Sequence, residues 1–261
     1  MTDTLPTVVL VHGAWHTPYH YQVYIDALRS QGFTVYCPHL PSSNGSSPPT
    51  ASFAEDVTCV RSTIKGLVEL GQQVLLIMHS YGGAVGTDAV QDLTITERKE
   101  CNESGGVIHL LYLCAYLLQP HGSIYQTMES LDVAHLWPQF MDDAEDGTSF
   151  PKDPGLWFYG GVDKKVIDEE LVPRLVRLPL SVIHAKTSGD AWKRLPVTYV
   201  FTTDDYSVPR SFQDIMIDRV RSEQVDLVTV ECDSSHSPFI TKTQEMVRVA
   251  VGAAEDPRNL K

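Results

Sequence analysis

Apolar positions along the chain gather into six short runs, near residues 7–12, 33–37, 73–79, 107–113, 196–202 and 226–231. Several are rich in β-branched residues, as in PTVVLV and LPVTYVF, and the last alternates with period two through VDLVTVE. These are strand signatures. Helical patterns fill most of the segments between them, so strands and helices alternate. That order predicts an α/β fold, a six-stranded and mostly parallel sheet with helices on both faces. The Gly-, Pro- and Ser-rich stretch SSNGSSPP at 42–49 reads as a surface connection at the active-site edge.

After the fourth run, the connection from about Leu117 to Arg194 is too long for a simple crossover. It predicts a cap at 117–194 inserted over a core formed by 1–116 and 195–261. Tyr125, Trp137, Phe140, Phe150, Trp157, Phe158 and Tyr159 crowd this segment. Such aromatics either hold a cap down or line a pocket for an apolar or aromatic substrate. Candidate substrate contacts are Trp137, Trp157 and Phe158 in the cap, with Gly13 and Trp15 in the turn after the first strand.

The candidate chemistry centres on LLIMHSYGG, where an apolar strand breaks at Ser80 and continues into Gly82, Gly83 and Ala84. A sharp strand-to-helix turn lifts a serine out of the sheet toward a substrate. The pattern G-x-S-x-G is present as Met78-His79-Ser80-Tyr81-Gly82, with methionine at the first glycine position, where a long side chain must find room. Three other segments agree with it. His12-Gly13-Ala14-Trp15 follows the first strand, and the amides of Ala14 and Tyr81 are candidate oxyanion donors. His236 follows the last strand, at the same sheet edge as Ser80, placed to act as general base. Asp204 and Asp205 follow the fifth strand, and either can hydrogen-bond the far nitrogen of that histidine. No acid ends the preceding strand, which removes the competing position.

The order serine, acid, histidine is the one found in α/β-hydrolases. With HGAWH, LPSS, HSYGG, the acid loop ending in VP and HSPFITKTQEM, nearly the whole chain resembles that superfamily. More narrowly, it resembles the small methylesterase and hydroxynitrile lyase group with its microbial relatives. The resemblance implies Ser80 as nucleophile, Asp205 and His236 as its partners, and Ala14 and Tyr81 as the oxyanion hole. It implies no cofactor, and a small carboxylic ester or lactone as substrate. A C–C lyase reaction in the same site, retro-Claisen or cyanohydrin cleavage, is the alternative. Hydroxynitrile lyases of the group carry lysine after the catalytic histidine, however, and here that position is Ser237. A non-catalytic small-molecule receptor is the third reading, and Met78 alone favours it.

A length of 261 residues suits one such domain. The net charge of -13 argues against nucleic-acid or anionic-membrane partners, and a homodimer is expected from the relatives. Five cysteines without metal or redox spacing, and an N-terminus without a basic leader, point to a reducing, cytoplasmic setting. His12, His16 and His20 repeat every four residues, but Gly13 and Pro18 break the helix that would align them, so no metal is expected there. The run Asp142 to Gly147 has Ala144 where a calcium loop needs an oxygen, and reads as solvated surface.

Overall fold

Parallel pairing throughout joins six strands into one sheet, in the spatial order Val35–Tyr36, Thr7–Val11, Gln73–His79, Gly106–Leu113, Val197–Thr202 and Leu227–Cys232. The computed structural model describes residues 5–225 and 227–260. Its strands are β1 Thr7–Val11, β2 Val35–Tyr36, β3 Gln73–His79, β4 Gly106–Leu113, β5 Met141–Asp143, β6 Thr148–Pro151, β7 Leu178–Pro179, β8 Val197–Thr202 and β9 Leu227–Cys232. Its α-helices are α1 Gln22–Ser30, α2 Phe53–Glu69, α3 Gly82–Ala89, α4 Ile95–Glu100, α5 Ile124–Ser130, α6 Trp137–Phe140, α7 Pro154–Phe158, α8 Lys164–Val166, α9 Ser181–His184, α10 Arg210–Ser222, α11 Pro238–Thr241 and α12 Thr243–Ala254. The run expected at 33–37 contracts to two paired residues, because β2 is an edge strand touching only β1, and Tyr36 faces solvent. Asp226, expected to open the last strand, lies outside the described residues.

Successive residues of a strand face opposite sides of a sheet. Accordingly Val9, Val11, Leu76 and Met78 enter one apolar core, while Val8, Leu10, Leu75 and Ile77 enter another. Every residue of β4 and all but the first of β3 is buried, as central parallel strands covered on both faces must be. Helix α2 begins with a reciprocal cap, Ser52 and Glu55 satisfying each other's backbone N–H groups. Among the described residues, no helix is long and apolar enough to cross a membrane.

The segment between β4 and β8 carries its own antiparallel sheet, β5-β6-β7. These strands of three, four and two residues are too short to leave a periodic signal in the sequence. The run Asp142 to Gly147 forms the end of β5 and the turn of the β5–β6 hairpin, and its three aspartates are engaged by neighbouring groups. Asp142 pairs with Arg177 at 3.0 Å, Asp143 accepts from Trp137 Nε1 at 2.8 Å, and Asp146 accepts from the Thr148 amide at 3.0 Å. The segment enters and leaves through a narrow neck. The His121 amide donates to Thr187 at 2.7 Å, the Thr187 amide to Gly122 at 2.9 Å, and the buried Trp192 Nε1 to the Leu118 carbonyl at 3.2 Å.

Candidate active site

Strand β3 ends at His79 and α3 begins at Gly82, so Ser80 and Tyr81 must turn the chain within two residues. Ser80 has φ of 52°, the left-handed region that costs a non-glycine residue strain. Only the absence of a side chain lets α3 lie this close to β1: a Cβ on Gly82 would come within 2.8 Å of the His12 carbonyl oxygen. The methionine at the first motif position is accommodated one helical turn further on. A Cβ on Gly86 would meet Met78 Sδ at 2.5 Å, so the missing side chain at 86 makes the room that Met78 fills.

Of the two acids after β8, Asp205 turns inward. Its Oδ2 receives His236 Nδ1 at 2.8 Å and the Thr202 hydroxyl at 2.7 Å, and its Oδ1 receives the amides of Ser207 at 2.9 Å and Val208 at 2.8 Å. Both side chains of the pair are fully enclosed. Asp204 is instead solvent-exposed and takes no part in this network, its amide bonded to the Ser234 carbonyl at 3.1 Å.

Ser80, Ala14, Trp15, Tyr81, Trp137 and Trp157 line one cavity of about 560 Å3, together with Asp204 and Asp205. The rest of its wall is mostly apolar, from Ile124, Met128 and Leu136 to Phe212. Neither the Ala14 nor the Tyr81 amide has an acceptor among the described residues, although both residues are buried. Buried N–H groups are ordinarily paired, so two unpaired ones beside a strained serine suit an anion that forms only during reaction. Two expected substrate contacts are placed elsewhere. Gly13 donates its amide to the Tyr21 hydroxyl at 2.8 Å beneath the turn. Phe158 lies buried against Trp15, 5.9 Å between ring centres, because adjacent residues on α7 point about 100° apart and Trp157 takes the cavity side.

Behind these groups lies a polar layer that sequence reading missed. The Asp56 carboxylate is fully buried and receives the Tyr81 hydroxyl at 2.6 Å, the Ser42 amide at 2.8 Å and the Ser42 hydroxyl at 2.5 Å. Burial raises its pKa, and the hydrogen bonds from Ser42 and Tyr81 oppose that shift. The LPSS turn and the first turn of α2 thereby hold the side chain of the residue whose amide is a candidate oxyanion donor. On the other side, the Tyr21 hydroxyl contacts His79 Nδ1 at 2.6 Å and His79 Nε2 contacts the His236 carbonyl at 2.8 Å.

The spaced histidines each brace backbone. His12 bonds the Gly13 carbonyl and the Leu40 amide, His16 the Ala14 carbonyl and the Tyr159 hydroxyl, and His20 the Leu171 carbonyl. Burial holds His12 down to about 3 and lowers His16, His20 and His79 as well, so these rings are neutral. His79, Cys114 and His236 bring possible ligand atoms within 4.8 Å of one another. Yet both His79 nitrogens and His236 Nδ1 are hydrogen-bonded, and the Cys114 thiol, pushed up by burial, donates to the His236 carbonyl at 3.4 Å.

Residues 8–249 match the model of the alpha/beta hydrolase family. The chain is 28% identical over 254 residues to the alpha/beta hydrolase nvfD of Aspergillus novofumigatus, covering 95% of this chain and 96% of that protein. Its fold is similar to a pyrethroid hydrolase from Sphingobium faniae, with a TM-score of 0.75 at 18% identity, covering 97% and 99% of the two chains. It is likewise similar to an extracellular alpha/beta-hydrolase from a Paenibacillus species, with a TM-score of 0.74 at 18% identity, covering 96% and 100%. A match over this much of the sequence, together with six parallel strands and a serine at the strained turn after β3, means that the chain belongs to the alpha/beta hydrolase family.

Proposed function

We propose that the protein is a serine hydrolase that cleaves an apolar or aromatic carboxylic ester or lactone through an acyl-enzyme. The observation that carries this reading is the enclosed His236–Asp205 pair, 2.8 Å between Nδ1 and Oδ2, in a site where Ser80 and two unpaired amides line one apolar cavity. The carboxylate accepts the proton on Nδ1, which leaves Nε2 as the basic nitrogen.

In the first step His236 Nε2 takes the Ser80 proton as Oγ attacks the substrate carbonyl, and the amides of Ala14 and Tyr81 bind the resulting oxyanion. Collapse breaks the ester bond, and His236 returns the proton to the leaving alkoxide. Water then attacks the acyl-enzyme with His236 again as base, releasing the carboxylic acid and restoring Ser80. An imidazolium that forms in this low-dielectric site is stabilised by the Asp205 carboxylate, which four donors hold in place.

A cavity of about 560 Å3 with a mostly apolar wall falls within the range of sites for drug-sized ligands. We extend the reading to a reducing, cytoplasmic setting on the five free thiols. The test is labelling of Ser80 by a fluorophosphonate, followed by turnover of aryl acetates, methyl esters of aromatic acids, and lactones. Rapid labelling that Ser80→Ala abolishes supports the hydrolase. A receptor that retains only the fold would stay unlabelled.

A further inference from the structure

Three residues of the cavity wall carry formal charge, Asp204, Asp205 and Arg210. Asp205 is committed to His236, Thr202 and two amides. Arg210 is committed as well, with Nε on Asp214 and Nη1 on Glu231, both at 2.7 Å, and its guanidinium over the Phe201 ring at 4.1 Å. Asp204 differs from both. Its carboxylate has no hydrogen-bond or ion-pair partner among the described residues, and the residue is solvent-exposed where it lines the cavity. The wall therefore presents one uncompensated negative charge and no unpaired cation among the described residues.

We infer that Asp204 is a specificity-determining residue that selects uncharged esters over esters bearing a carboxylate, and that lowers affinity for the acid product. This inference rests on the hydrolase reading. Hydrolysis turns a neutral ester into an anion inside the cavity, so the same repulsion acts on anionic substrates and on every product molecule. Charges spread over the rest of the surface are screened beyond about 8 Å at physiological salt, whereas a carboxylate on the cavity wall lies close enough to a bound ligand to act within that range. Asp204 and Asp205 thus divide two tasks between neighbouring positions: one carboxylate faces the histidine, the other the ligand.

The experiment compares kcat/KM for 4-nitrophenyl hexanoate and the mono-4-nitrophenyl ester of adipate, which match in chain length and differ in one terminal carboxylate. In the natural protein the neutral ester is favoured by about fivefold or more at low salt, as expected for like charges a few ångströms apart near water. In Asp204→Asn that ratio falls at least threefold and free hexanoate inhibits more tightly, and Asp204→Lys reverses the preference. Added salt shrinks the ratio only where Asp204 is present. The same ratio in all three proteins overturns the inference. Fluorophosphonate labelling of Ser80 is run alongside. An unlabelled natural protein overturns the hydrolase reading and this inference with it, whereas a labelled protein with an unchanged ratio overturns the role of Asp204 alone.

Discussion

His79 joins the loop of Ser80 to the loop of His236: its Nε2 donates to the His236 carbonyl at 2.8 Å, while its Nδ1 receives the Tyr21 hydroxyl at 2.6 Å. A carbonyl only accepts, so the proton sits on Nε2 and the Tyr21 hydroxyl must donate to Nδ1. That hydroxyl in turn accepts from the Gly13 amide at 2.8 Å. One chain of bonds therefore ties the turn after β1, the turn at Ser80 and the loop of His236 together.

Tyr21→Phe keeps the ring stacked on Phe239, 4.2 Å between centres, and removes only the hydroxyl. The Gly13 amide and His79 Nδ1 then lose their partner, and each buried unpaired group costs about 1–3 kcal/mol. Urea unfolding should show a loss of about 2–6 kcal/mol for the two together. Ester turnover should drop about ten- to a hundredfold if the three loops drift relative to one another. Full turnover in a destabilised variant would mean that the loops hold their places without this chain.

Ser80→Ala should lower ester turnover by about four to six orders of magnitude, and Asp205→Asn by about four. The second value reflects a wrongly oriented imidazole, since an amide can present its NH2 to Nδ1. Both are read from steady-state rates on one aryl ester, with circular dichroism to verify that the variants are folded. Normal turnover by Ser80→Ala would remove the assignment.

Gly86→Ala should destabilise the protein by about 1–3 kcal/mol, because its Cβ would overlap Met78 Sδ and Cγ. Pairing it with Met78→Ala should recover part of the loss, a coupling that a double-mutant cycle on denaturant midpoints measures. Strictly additive losses would show that Met78 finds room by another route.

Stability should fall as pH drops below about 6.5. His12 and His109 are held down to about 3 and about 4, and His16, His20 and His79 are lowered too, all chiefly by burial. Between each folded-state value and 6.5 the unfolded chain binds the extra proton, so each ring withdraws up to about 1.4 kcal/mol per pH unit in that window. Burial raises Asp56 and Asp88, which acts in the opposite direction: just above 3.8 the folded state is the one that binds protons, so falling pH favours it there. The histidines outnumber these acids, and unfolding at pH 5.5 should take up several protons. Denaturant midpoints from pH 7 to 5 check the slope, and a flat profile would refute it.

What the residue pattern reveals is what local spacing encodes. The strands, the turn at Ser80 and the positions of Asp205 and His236 follow from apolar runs that end in particular residues, and the structure gathers the two acid-loop and histidine-loop side chains within 2.8 Å. Choosing between Asp204 and Asp205 depends on one residue of loop phase, which periodicity alone leaves open. Contacts formed across the fold were hidden. Asp56 reads as an ordinary first-turn acid of α2, and nothing along the chain pairs it with Tyr81, 25 positions later. Trp157 and Phe158 look interchangeable in a string of aromatics, yet the turn of α7 sends one to the cavity and the other beneath Trp15.

The neck at residues 121–122 and 187 fixes the distance between the two ends of the chain that lies between them. Changes of length between 123 and 186 can therefore be absorbed within that stretch while β4 and β8 keep their register, provided the anchors of His16 to Tyr159 and of His20 to Leu171 are kept. Lining residues such as Trp137 and Trp157 can thus drift with that stretch while Ser80, Asp205 and His236, all encoded outside it, stay where they are.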